Sequence, residues 1–204
     1  VLTVHDLSFM RCPSCSSPAL LSYLMRSVPR SVRRADVLLA DSQNTRQDLI
    51  ELLDVAPDRV HVVYAGVEER FVRPEPAELD RVRTRYKIEH PFILALGTLQ
   101  PRKNFPRLIR AYDHLRRQHR VPHQLVIGGG RGWLEDDIYE AIETLGLRGL
   151  VRLIGFVADE DLPALYSAAD VFAFPSLYEG FGIPVLEAMG CGTPVVTSVV
   201  SSLP

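Results

Sequence analysis

The sequence has 204 residues, of which 47% are apolar and 24% charged, and its formal net charge is −2 at pH 7. That balance is ordinary for a globular domain and excludes a general attraction to nucleic acid or to an anionic surface. No apolar run approaches the ~20 residues needed to span a bilayer. From the amino end, Val1–Val4 reads as a buried strand and not as a signal peptide, while Ser201–Pro204 reads as a loop. The sequence is therefore expected to be cut from something longer at both ends. Cys12 and Cys15 form a C-x-x-C pair, but no second Cys/His pair completes a zinc set. Two free thiols in a reducing cytosol are expected.

Strand-like apolar runs fall at 1–4, 37–40 and 60–64. Between the first two, Leu20, Leu21, Leu24, Met25, Val28 and Val32 recur at helical spacing, with Pro29 predicting a kink or a break into two helices. A second helix should follow Ser42, a good N-cap residue, and run to about Leu53. Arg73-Pro74-Glu75-Pro76 disfavours both helix and central strand and reads as a linker, followed by a short helix over about 77–86. From Pro91 onward, strand runs at 92–96, 124–127, 150–154, 171–174 and 194–198 alternate with helical runs. The clearest of those helices places Phe105, Leu108, Ile109, Tyr112 and Leu115 on one face. Five short apolar strands with intervening helices predict a parallel, Rossmann-like doubly wound sheet. The expected organisation is residues 1–72 as the later part of one α/β domain, 73–88 as linker and connecting helix, and 89–204 as a second domain.

Ligands of such sheets bind beyond the carboxyl ends of the strands. The segment 175–194, P-S-L-Y-E-G-F-G-I-P-V-L-E-A-M-G-C-G-T-P, occupies such an end. A strand stops, a glycine-containing loop follows, and a helix should begin near Gly182 with Pro184 in its first turn. The amides of Phe181, Gly182 and Ile183 would then point at an anion, favoured by the helix dipole. Glu179 precedes the helix and Glu187 lies inside it, near enough to accept hydrogen bonds from a sugar ring. By spacing alone the same residues also describe a solvated loop glutamate and a helix-surface glutamate.

Glu179 and Glu187, separated by seven residues within E-G-F-G-I-P-V-L-E-A-M, resemble the E-x7-E signature of the retaining glycosyltransferases of family 4, the group 1 family. Other segments resemble the same family in order: Val4-His5-Asp6-Leu7, Ala40-Asp41-Ser42 with Thr45, Val63-Tyr64-Ala65-Gly66-Val67, and Gly97-Thr98-Leu99-Gln100-Pro101-Arg102-Lys103-Asn104. The resemblance runs through essentially the whole chain. It implies a GT-B type α/β fold, two Rossmann-like domains facing a cleft, with the N-terminal domain incomplete. It implies an enzyme that moves a sugar from a nucleotide-sugar donor to a glycan or lipid-linked hydroxyl acceptor, with retention and with no metal or other cofactor. In that reading Glu187 holds the ribose, Glu179 contacts the transferred sugar, and His5 approaches it from the other domain. Arg102, Lys103, Gly97 and the backbone of Phe181, Gly182 and Ile183 bind the donor phosphates, and Gly155, Phe156 and Val157 border the base. The chain departs from the family at Thr98, where many members carry Arg, and Arg102 is expected to substitute. The flavour of HDLSF, PRKN and YEGFGIP leans towards surface-polysaccharide mannosyltransferases using GDP-mannose, with a cytoplasmic location.

Two other classes share part of this pattern. One is a GT-B-shaped binding module without catalysis. The other is a Rossmann oxidoreductase, for which Gly128, Gly129, Gly130 and Gly132 fit the G-x-G-x-x-G fingerprint poorly. Asp159-Glu160-Asp161 is a literal D-x-D, read here as helix capping. Arg26, Arg30, Arg33 and Arg34 around an apolar stripe fit either solvated arginines or peripheral contact with an acidic membrane.

Overall fold

The computed structural model describes residues 1–204, which pack as two compact units. The first comprises Val1–Gly66 with the segments Ser176–Ile183 and Ser198–Pro204. The second comprises Val67–Pro175 and Pro184–Thr197. Segments 176–183 and 198–204 thus group with the first unit, and residues 67–88 with the second.

The first unit contains β1 (Leu2–Val4), α1 (Ser8–Arg11), α2 (Pro18–Arg34), β2 (Leu38–Ala40), α3 (Gln43–Leu53) and β3 (Val60–Val62). Its sheet is parallel in the order β1-β2-β3. Leu21, Leu24, Val28 and Val32 of α2 pack on a core that includes Val4, Phe9, Leu38 and Leu49. Leu20 and Met25, one position either side of that stripe, are exposed. The helix α2 runs as one element through Pro29, against the expected break into two helices. Its buried stripe supplies continuous contacts, and the carbonyl deprived of a donor belongs to Met25, an exposed residue where water can reach it. The Ser42 cap is present, with its Oγ accepting from the Thr45 N–H at 3.1 Å. Cys12 and Cys15, expected as free thiols, are joined by a disulfide, because the 3-10 turn Pro13–Cys15 brings their Cα atoms to 5.4 Å.

The second unit contains α4 (Pro76–Arg85), β4 (Phe92–Leu96), α5 (Phe105–His119), β5 (Gln124–Gly128), α6 (Asp136–Thr144), β6 (Val151–Gly155), α7 (Leu162–Ala168), β7 (Val171–Phe174) and β8 (Val195–Thr197). The helix α8 (Ile183–Gly190) begins at the last residue of segment 176–183 and continues into this unit. Its five strands form a parallel sheet in the order β6-β5-β4-β7-β8. Phe105, Ile109 and Tyr112 of α5 are buried against Leu125, Ile127 and Ile138, as the stripe predicts.

Asp161 of the D-x-D segment stands at the N-cap position of α7, but its side chain makes no cap bond. Asp161 is fully buried and receives Tyr86 Oη at 2.7 Å, Arg81 at 2.8 Å and Arg85 at 2.9 Å, so it fastens α4 to the turn before α7. Burial alone would raise the Asp161 pKa, but these bonds and charges outweigh it and hold the carboxyl below its ordinary range. No helix is long and apolar enough to cross a membrane.

Candidate functional site

In the first unit the register of β1 on β2 pairs Val4 with Ala40, so the residues that follow, His5 and Asp41, emerge side by side. His5 Nδ1 lies 2.7 Å from Asp41 Oδ2. Donation from Nδ1 leaves Nε2 as the acceptor nitrogen on a ring that is otherwise exposed. Glu179 is buried. Its backbone is fixed on both sides: its N–H donates to Ser201 Oγ at 2.9 Å, and its carbonyl accepts from Ser202 Oγ at 3.0 Å. Gly180 lies so close to the β1 end that a Cβ there would sit 2.0 Å from the His5 carbonyl oxygen. Phe181 stands 6.1 Å from the Tyr64 ring. Gly182 has φ of 101°, a conformation that favours glycine, and Ile183 opens α8. The amides of the first turn of a helix have no carbonyl of the preceding turn to bond, which is what an anion uses.

In the second unit Lys103 ends the 3-10 turn Pro101–Lys103 beyond β4, and its side chain is buried along Gly97. A Cβ at Gly97 would come within 2.9 Å of Lys103 Cε, so glycine leaves the channel that the lysine occupies. The ammonium reaches a point 4.6 Å from the Phe174 ring centroid, at the carboxyl end of β7. Arg102 is half-buried on the same turn. The glycine run after β5 serves packing: a Cβ at Gly129 would meet the Gly97 carbonyl oxygen at 1.9 Å, and one at Gly132 would meet the Leu99 oxygen at 2.2 Å. These glycines let two loops touch, which accounts for them without a dinucleotide. Of the segment assigned to the base, Gly155 is exposed with φ of 73°, Phe156 is 75% exposed, and Val157 is buried against Gly128.

Glu187 lies on α8, half-buried, and its Oε2 accepts from Tyr166 Oη at 2.7 Å. Burial raises the Glu187 pKa above its ordinary value, and the Tyr166 bond and the nearby charge of Arg70 offset part of that rise. Tyr166 is buried, packed edge-on against Phe71 and Phe172, and its carbonyl accepts from Thr193 Oγ1 at 2.7 Å. Burial first, then the charge of Glu187, keeps the Tyr166 hydroxyl protonated, so it remains a donor. Sequence reasoning missed Tyr166, and it missed Asp48 and Tyr178, which meet in the first unit. The residue types carried no signal. A tyrosine in an apolar helix and an aspartate in a polar one are unremarkable until their partners are known.

The structure thus gathers the expected site residues into two groups. His5, Glu179, Phe181, Gly182 and Ile183 belong to the first unit, and Gly97, Arg102, Lys103, Gly155, Phe156, Val157 and Glu187 to the second. No group of three or more His, Cys, Asp or Glu side chains converges as a metal set.

Residues 77–204 match the family model described as glycosyl transferases group 1, and residues 1–71 match that of glycosyltransferase family 4. The chain is 38% identical over 205 residues to the O-antigen chain mannosyltransferase B of Escherichia coli, covering 100% of this chain and 54% of that protein. It is 40% identical over 176 residues to the serotype-specific mannosyltransferase WbdA of the same species, covering 84% of this chain and 22% of the relative. The chain thus spans about half the length of the first relative and less of the second. Among solved structures it resembles Anabaena Alr3699/HepE in complex with UDP-glucose, with a TM-score of 0.80 and 26% identity over 98% of this chain and 54% of that one. The fold of WaaG, a glycosyltransferase involved in lipopolysaccharide biosynthesis, is also similar, with a TM-score of 0.76 and 22% identity over 99% of this chain and 57% of that one. The fold is of the GT-B type.

Proposed function

The chain belongs to the group 1 glycosyltransferases, and we propose that it carries the donor-binding and reacting groups of a retaining, metal-independent mannosyltransferase that uses GDP-mannose in glycan or surface-polysaccharide synthesis. The observation that carries this reading is the pairing of chemistries at the carboxyl ends of the second sheet. Lys103 is an immobilised cation laid over Gly97, and Glu187 is an immobilised acceptor held by Tyr166. A nucleoside diphosphate needs both, a cation for the phosphates and a carboxylate for the ribose hydroxyls. Phe156, exposed after β6, is the proposed neighbour of the base. The mannosyl preference rests on the named E. coli relatives.

In the proposed reaction the C1–oxygen bond to the β-phosphate breaks and its electron pair leaves with the diphosphate. The acceptor oxygen bonds C1 from the same face, and its proton passes to the departing phosphate oxygen. Fixed positive charge from Lys103, Arg102 and the first amides of α8 stabilises the leaving group more in the transition state than in the ground state. Glu179 positions the sugar and stabilises its developing positive charge, and His5, oriented by Asp41, contacts the sugar hydroxyls. The exposed Leu20, Tyr23 and Met25 beside Arg26 and Arg30 on α2 support peripheral contact with an acidic membrane at its cytoplasmic face.

The deciding experiment titrates GDP, UDP, ADP and NAD into the intact protein without divalent metal, beside its Glu187→Ala variant. GDP is expected to bind, and to bind tenfold or more weakly in the variant, a loss of about 1.4 kcal/mol. Binding indifferent to Glu187, or a preference for NAD, sinks the assignment. Mixing with anionic vesicles tests the membrane contact, which fails if the protein does not sediment with them.

A further inference from the structure

We propose that Tyr178 is a positioning residue whose hydroxyl, held by Asp48 and Asn44, fixes the segment carrying Glu179 and Gly180 against the end of β1 that carries His5. Tyr178, Asp48 and Asn44 all lie within the first unit, as do both groups they would align. Packing alone asks only for an aromatic ring at position 178. The hydroxyl is an additional feature, and a buried hydroxyl is costly unless partnered. This one has both roles filled: it donates to Asp48 Oδ2 and accepts from Asn44 Nδ2 at 2.8 Å. Asp48 is itself buried, at 2% exposure, and its other oxygen accepts from Arg11 Nε at 2.8 Å. Arg11 closes α1, the helix that follows His5-Asp6-Leu7 directly. One carboxylate thereby ties together α1, α3 and the segment 176–183.

The backbone shows why this matters for the reacting groups. The Thr45 hydroxyl on α3 lies 3.3 Å from both the His5 and the Gly180 carbonyl oxygens. Gly180 follows Glu179 directly and approaches the His5 carbonyl closely enough that no side chain fits. The main chain beside Glu179 and the main chain at His5 are therefore in contact, and a loop that shifts at Tyr178 shifts that contact. The hydroxyl is kept protonated, first by burial and then by its bond to Asp48 and the charge of Asp48, so the donor persists across the physiological range.

The kinetic consequence rests on the proposed transferase reading, whereas the mechanical one does not, and the test separates them. Amide hydrogen exchange and steady-state transfer from GDP-mannose are measured on the intact protein and on Tyr178→Phe. The expected result is exchange at residues 178–182 faster by about tenfold or more with β4, β5 and β7 unchanged, the size of one lost hydrogen bond to a charged group. The value of kcat is expected to fall by a similar factor while KM for the donor stays within about twofold, because Lys103, Arg102 and Glu187, outside the loosened segment, keep most of the proposed hold on the nucleotide. Asp48→Asn should act in the same direction, and the double variant should be no worse than the more damaging single one. Unchanged exchange overturns the proposal. So does faster exchange with unchanged kcat, and so does a rise in KM alone. If the wild-type protein transfers no sugar from any nucleotide sugar, the transferase reading fails, and the exchange comparison still decides whether Tyr178 holds the segment. Should Tyr178→Phe fail to fold, Asp48→Asn carries the same comparison.

Discussion

In the first unit Tyr178 donates its hydroxyl to Asp48, and in the second Tyr166 donates its hydroxyl to Glu187. The local chemistry is the same, a buried phenol on a carboxylate, yet the two acids are left in opposite conditions. Asp48 has Arg11 on its second oxygen and almost no exposure, so its acceptor capacity is used up inside the protein. Glu187 has no such cation bonded to it: Arg70 is engaged with Glu68 and acts on Glu187 only through its charge. Glu187 therefore keeps acceptor capacity that Tyr166 does not use, the capacity proposed above to hold the ribose, and burial raises its pKa. What the second oxygen meets separates the two carboxylates, and the tyrosine alone does not.

The comparison breaks most readily at Asp48. Asp48→Ala should destabilise the protein by about 3 kcal/mol in urea denaturation, because Arg11 and the Tyr178 hydroxyl lose a shared buried partner. A loss below about 1 kcal/mol would show that the network is not needed for folding and would remove the contrast with Glu187.

Glu187 should behave in the opposite sense. Its folded-state pKa is raised by burial, so its favourable contribution to stability is present below the unfolded pKa and is lost as pH rises through the folded value. Glu187→Gln is expected to have a higher Tm than wild type at pH 7, with the difference closing on acidification as the wild-type carboxyl takes up its proton. Over the same window wild-type affinity for GDP should weaken while the glutamine variant, already weak, stays flat. A variant less stable than wild type at neutral pH would contradict the reading of Glu187 as a strained, ligand-facing acid.

Much of the scaffold was legible beforehand because its signals are local. Ser42 and Thr45 are three positions apart and make the cap that their spacing predicts. The stripe on α5 is one helix face. What stayed hidden depends on partners distant in sequence. Tyr178 and Asp48 are separated by 130 positions, and no periodicity connects them. Asp161 looked like a cap because acids before a helix usually are, and only the fold brings Tyr86, Arg81 and Arg85 to it.

The smallest expected effect is the sharpest on mechanism. Tyr166→Phe keeps the ring that packs between Phe71 and Phe172 and removes only the donor to Glu187. Affinity for GDP should fall by roughly three- to fivefold, about 0.6–1 kcal/mol for one hydrogen bond. The Tyr166 bond is one of the influences that oppose the rise in the Glu187 pKa. Without it the carboxyl should protonate at higher pH, so the acid limb of the binding profile moves upward. A packing defect would weaken binding at every pH alike, whereas loss of the hydroxyl weakens it most on the acid side. An unmoved profile would therefore mean that Tyr166 supports α8 by its ring and leaves the charge of Glu187 to Arg70.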